Sequence, residues 1–151
     1  RDLGVWCKGN AILQPETQPV TVIYDDPATL PPNTQERYDA ALTVNPDTVP
    51  EEDGLFIRYT IPGGMYAVAV FTGSLMQIER AWDYFSYCWF LKSGLQMRES
   101  RFIMLHRQED IPSSPLAAAK LLAGKKISCR LCIPADKAPG YDAPVLKRYD
   151  Q

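Results

Sequence analysis

Three sets of side chains in this 151-residue chain have the types and spacing for chemistry. The largest is aromatic. Trp82, Phe85 and Trp89 recur at helical spacing with Leu75 and Ile78, and Trp6, Tyr38, Met65, Tyr66 and Phe71 lie in segments that would pack near them. Such π-faces can line a groove and stack on a planar ligand. The same residues also suit the ordinary core of an α+β domain, the commoner fate of an apolar helix stripe. The alternation of Met65 to Phe71 leaves open whether Tyr66, or its neighbours Met65 and Ala67, faces the helices.

The second set is acidic. Asp25, Asp26 and Asp39 and the run Glu51 to Asp53 could attract a cation. Asp25-Asp26 also reads as a turn and Glu51 to Asp53 as a solvated loop. Asp39 alternates onto a face with Ala41 and Thr43, which predicts a part-buried carboxylate bonded to a backbone group or an arginine, with Arg130 as partner. The third set is His106 and the cysteines Cys7, Cys88, Cys129 and Cys132. His106 has the right ordinary pKa for a general base. No nucleophile motif accompanies it, and no GxSxG, HExxH or phosphate-binding glycine loop is present. Cys129-Arg130-Leu131-Cys132 has CxxC spacing but lies in an alternating strand, so its sulfurs point to opposite faces. We therefore assign no catalytic residue, no metal ligand and no cofactor, and read the thiols as reduced, buried apolar groups of a cytoplasmic protein.

The length fits one domain with a real core, and 46% of the residues are hydrophobic. A net charge of −2 argues against a generic nucleic-acid or membrane-surface binder. No run approaches the ~18 apolar residues of a membrane span. The chain opens on Arg1 and is read as a fragment or a processed chain.

The elements that would hold these residues repeat. An extended run from Leu55 to Phe71 is interrupted at Pro62-Gly63-Gly64. A helix from Ser74 to Lys92 follows, begun by a Ser74-x-x-Gln77 capping box and closed by Gly94. Strands follow at Phe102 to Arg107 and Ile127 to Ile133, with a short helix from Pro115 to Gly124 between them. The first half reads as a helix end near Trp6 and strands at Val20 to Tyr24 and Tyr38 to Val44. Two strand-helix-strand-strand units are therefore expected, the first incomplete at its start. They would form an antiparallel sheet with two main helices flanking a groove. Residues 1–135 would form the domain and 136–151 an extended tail.

Tyr24-Asp25-Asp26-Pro27, Arg37-Tyr38-Asp39-Ala40-Ala41, Ile61-Pro62-Gly63-Gly64-Met65-Tyr66-Ala67-Val68, Ala81-Trp82, Trp89 and Cys129-Arg130-Leu131-Cys132-Ile133-Pro134, in that order, resemble the gyrase-inhibitor-like small-molecule-binding domain. That domain is also the effector-binding part of AraC-type transcription regulators. The resemblance implies the duplicated fold and a groove between two helices that takes small, often apolar and cationic molecules. It also implies a glutamate after the aromatic residue of the strand that follows the second helix. Here that pair reads Phe102-Ile103, which shifts the expected ligand toward a neutral or aromatic compound and weakens any hydrolytic carry-over.

The expected function is binding of a small organic ligand by Trp6, Tyr38, Met65, Tyr66, Phe71, Trp82, Phe85 and Trp89. The domain would serve as the sensor of a transcription regulator or as a stand-alone binding protein, touching DNA only through sequence outside this chain. A protein-interaction module with a protein partner is the alternative, and a small-molecule hydrolase ranks last.

Overall fold

The computed structural model describes residues 16–24, 31, 32, 37–45, 47, 57–111 and 115–139. Six strands, β1 (Pro19–Ile23), β2 (Tyr38–Leu42), β3 (Tyr66–Gly73), β4 (Leu95–Met97), β5 (Phe102–His106) and β6 (Ile127–Lys137), form an antiparallel sheet. Their order is β2-β1-β5-β6-β3, and β4 pairs with the far end of β6. Helix α1 (Leu75–Asp83) runs through a π-helical segment (Tyr84–Trp89) into α2 (Phe90–Lys92), and α3 (Pro115–Leu122) precedes β6. The fold is α+β, as the sequence implies. β5 lies at the centre of this order, between β1 and β6. One main helix is present among the described residues; the expected first one, around Trp6, lies outside them.

Alternation gives the sheet two faces. Ile23, Ala67, Phe71, Phe102, Met104, Cys129, Leu131 and Ile133 pack under Ile78, Phe85 and Phe90 of the helix, with Ala81, Trp82, Trp89 and Leu121 at the margin. Val20, Val22, Ile103 and Cys132 form a second cluster on the opposite face, the open face, where no described helix lies. The long helix reaches the first cluster because of its π-helical turn. The Phe90 N–H bonds the Phe85 carbonyl five residues back, which wraps the chain more loosely than an α-helix. Phe85 and Phe90 then share one face, and both are buried. An uninterrupted α-helix would rotate Phe90 away from that face. The helix is also not covered all round: Met76 and Leu91 are exposed.

Three further expectations change. Residues 57–61 join no ladder. They lead into a segment that packs on the sheet without pairing: Ile61 lies on the open-face cluster, and the Tyr66 hydroxyl donates to the Pro62 carbonyl at 2.7 Å. Strand β6 does not stop at Ile133. Pro134 stays inside it because the proline's missing N–H faces the gap between β4 and β5, where only its carbonyl is used, by Arg98 N–H at 3.0 Å. Beyond it Ala135 N–H donates to Met65 O at 3.1 Å, and the strand continues to Lys137. Third, β4 itself, Leu95–Met97, is a strand that the sequence does not announce.

Candidate ligand-binding site

On the open face the registers line side chains up in rows across the strands. One row is Val68, Cys132, Ile103, Val22 and Asp39; the next is Val70, Arg130, Leu105, Val20 and Ala41. Directly opposed residues in such rows lie roughly 5 Å apart. Ile103 is 5% exposed at the centre of the first row. The second row is more open, and the floor of a cleft of about 630 Å³ is laid by Val70, Arg130 and Leu105, with Gln18, Gln108 and Ser128 among its walls. That volume suits a small organic molecule.

Tyrosines and arginines edge the other end of this face. Tyr24 and Tyr66 pack against the apolar cluster. The Tyr24 hydroxyl donates to Asp39 Oδ2 at 2.7 Å; that bond, with burial second, pushes its pKa up to about 12. Asp39 is thus exposed and held by a tyrosine, not part-buried against Arg130 as the sequence suggests, because β2 is an outer strand whose neighbour on this face is Val22. Arg101 donates to the Tyr59 hydroxyl and to Glu99 Oε2 at 3.1 Å. Arg98 lies 5.1 Å over the Tyr66 ring while its Nη1 donates to Met65 O at 2.7 Å. Burial raises the Tyr66 pKa, against the opposing Arg98 charge. Residues 59–64 therefore form a strap: latched at Tyr59, seated by Ile61 and turned at Gly64, whose φ of +121° is the left-handed region glycine tolerates.

The thiols and the imidazole near the cleft are chemically quiet. Burial pushes the Cys132 thiol up to about 11, so it is a poor nucleophile at neutral pH. Cys129, on the helix side, is also pushed to about 11 by burial. His106 bonds Thr21 Oγ1 at 2.8 Å through Nε2, and burial lowers its pKa, with Asp110 opposing. Among the described residues no cluster of His, Cys, Asp or Glu could hold a metal, and no helix is long and apolar enough to cross a membrane.

Of the eight aromatic and apolar residues singled out from the sequence, the structure brings five together and sets Tyr38 and Tyr66 apart from them. Met65, Phe71, Trp82, Phe85 and Trp89 belong to the packing between helix and sheet. There Trp82 stacks on Phe102 at 5.5 Å, and Phe85 meets Trp89 at 5.5 Å. Tyr66 is on the other face. Tyr38 is 64% exposed on β2, and Trp6 lies outside the described residues. Sequence reasoning missed Tyr24 and Ile61, which pack on the cluster that holds Ile103. The signal was in β5: consecutive residues Phe102 and Ile103 cannot both face the helix.

A family model of the GyrI-like small molecule binding domain matches residues 6–117. The chain belongs to this family. The match spans β1 through β5 and the long helix, so the open face with its Ile103 centre is a face of a GyrI-like domain, while β6, carrying Arg130 and Cys132, lies beyond the matched residues. No curated protein matches the chain. As a GyrI-like domain, it is a small-molecule-binding module.

Proposed function

We propose that this GyrI-like domain binds a small aromatic or apolar organic ligand on the open face of its sheet. The ligand would rest on Val70 and Leu105, one row from Ile103, with the 59–64 strap beyond, seated over the Ile103 cluster. The observation that carries this reading is Ile103 itself. It stands where the resemblance calls for an acid, and its cross-strand neighbours Val22 and Cys132 are also uncharged. A buried carboxylate requires a compensating cation, and an apolar side chain does not. The Trp82 side of the sheet supports a structural role instead, because its aromatics are occupied with one another.

In this reading the domain is the sensing part of a cytoplasmic transcription regulator, acting by linkage. A ligand that prefers one arrangement of strap and sheet shifts the population seen by an attached DNA-binding part. The family membership and the three free cysteines among the described residues, Cys88, Cys129 and Cys132, support it.

Isothermal titration of the chain with a neutral aromatic probe, 2-naphthamide, tests the binding. Saturable one-site binding is expected, with loss of affinity in Val70→Trp, which fills the cleft from an outer strand. Binding that Val70→Trp leaves intact would place the ligand elsewhere and end this reading.

A further inference from the structure

Resting on the proposed open-face site, we propose that its ligand carries an anionic head group, a carboxylate on an aromatic or apolar body, and that Arg130 anchors it. Arg130 interrupts an otherwise uncharged cross-strand row, with Val70 on one side and Leu105 on the other. It lies diagonal to Ile103, whose direct partner is Cys132; such diagonal neighbours sit roughly 7–8 Å apart. A flat body resting on Val70 and Leu105, the two cross-strand neighbours of Arg130 in the cleft, therefore puts its substituent within reach of the guanidinium.

The other charges around the cleft are already engaged or peripheral. Arg107 is bonded to Asp110 Oδ2 at 2.8 Å and to Glu109 Oε1 at 3.2 Å, so both acids of that corner are spoken for by one arginine. Glu16 is exposed at the mouth. Arg130 lines the same cleft, is exposed, and has no hydrogen-bond or ion-pair partner from its side chain among the described residues. An arginine in an apolar row, with its fork of donors unspent, matches a planar carboxylate in two parallel bonds. Gln18, Gln108 and Ser128 add neutral polar groups to the walls. The site thus reverses the charge preference that the resemblance implies: the acid position is apolar, and a cation stands one row away.

Three probes with one ring system test this by isothermal titration at pH 7.5: 2-naphthoate, 2-naphthamide and 2-naphthylmethylammonium. The naphthoate should bind roughly 5–20-fold tighter than the amide, and the ammonium more weakly than the amide, the spread of one charge-assisted contact in a partly open cleft. In Arg130→Gln the naphthoate should fall to the amide's affinity while the amide changes less than about twofold. Arg130→Lys should keep an anion preference, smaller than wild type because the lysine is a point charge. Equal binding of naphthoate and amide by the wild-type chain, or an anion preference that persists in Arg130→Gln, would overturn the anchor and leave the neutral-ligand reading standing. Failure of both the amide and the naphthoate to bind would overturn both.

Discussion

Phe102 and Ile103 are neighbours in β5 and serve opposite faces of the sheet: Phe102 lies under Trp82 with ring centroids 5.5 Å apart and planes 14° apart, while Ile103 packs with Val20, Val22 and Cys132. This single alternation separates the helix-packed core from the proposed binding face. One side of β5 is filled by a stacked aromatic core, and the other belongs to the open face on which we propose the ligand rests.

Phe102→Ala should therefore destabilise the domain by about 3–5 kcal/mol, the usual cost of emptying a packed aromatic position. Urea denaturation measures it. Where the variant remains folded, its affinity for 2-naphthamide should stay within about twofold of wild type. A selective loss of binding without loss of stability would show that the two faces are coupled.

Acid should weaken the fold through His106. Burial lowers its folded-state pKa below the ordinary 6.5, the Asp110 charge partly opposing. The unfolded chain then binds the proton more readily, so stability present above pH 6.5 is lost as pH falls through the folded-state value. Asp110, whose pKa is held low by Arg107 and by Ser128 N–H against the upward push of burial, adds a second loss at lower pH in the same direction. Melting temperature should fall between pH 7 and pH 5.5, and His106→Gln should flatten that limb. An unchanged slope in the variant would assign the acid sensitivity to other groups.

The parts of this fold that sequence exposes are those governed by short-range rules. Ser74 N–H donates to Gln77 Oε1 at 2.9 Å, half of the expected capping box. Gly94 and Gly124 end their helices at φ of +78° and +102°. Cys129 and Cys132 part to opposite faces. What stays hidden depends on partners far along the chain. The π-helical turn that buries Phe90 follows from packing on the sheet, and β4 exists because β6 runs past Pro134 to meet it. Whether Tyr66 or Ala67 faces the helix was open from alternation alone; the register of β3 on β6 decides for Ala67. Stacking on a ligand and stacking in a core demand the same residue types, so an aromatic set by itself does not tell one from the other.

Gly64→Ala should strain the strap. Its φ of +121° disfavours a side chain, and a Cβ there would lie 3.0–3.2 Å from the Arg98 guanidinium, which must then leave Met65 O or the Tyr66 ring. A loss of about 1–3 kcal/mol is expected from the backbone term, read by chemical denaturation. Gly63→Ala, which meets nothing within 4 Å, is the control and should cost less. Equal effects of the two would remove the strain argument.

The latch predicts a kinetic effect. Arg101 holds Tyr59 both through the hydroxyl and with its guanidinium 5.6 Å over the ring, yet residues 57–60 are exposed and make no ladder. Segments with few buried contacts open first. Arg101→Ala should raise amide exchange across residues 57–61 several-fold and leave β5 and β6 protected, as mass spectrometry of exchanged peptides would show. Saturating 2-naphthamide should slow that exchange in the wild-type chain if the strap closes against the ligand. Exchange in 57–61 that ignores both the substitution and the ligand would mean the strap is fixed by Ile61 and Tyr66 alone, and that the ligand enters only from the Arg130 end of the cleft.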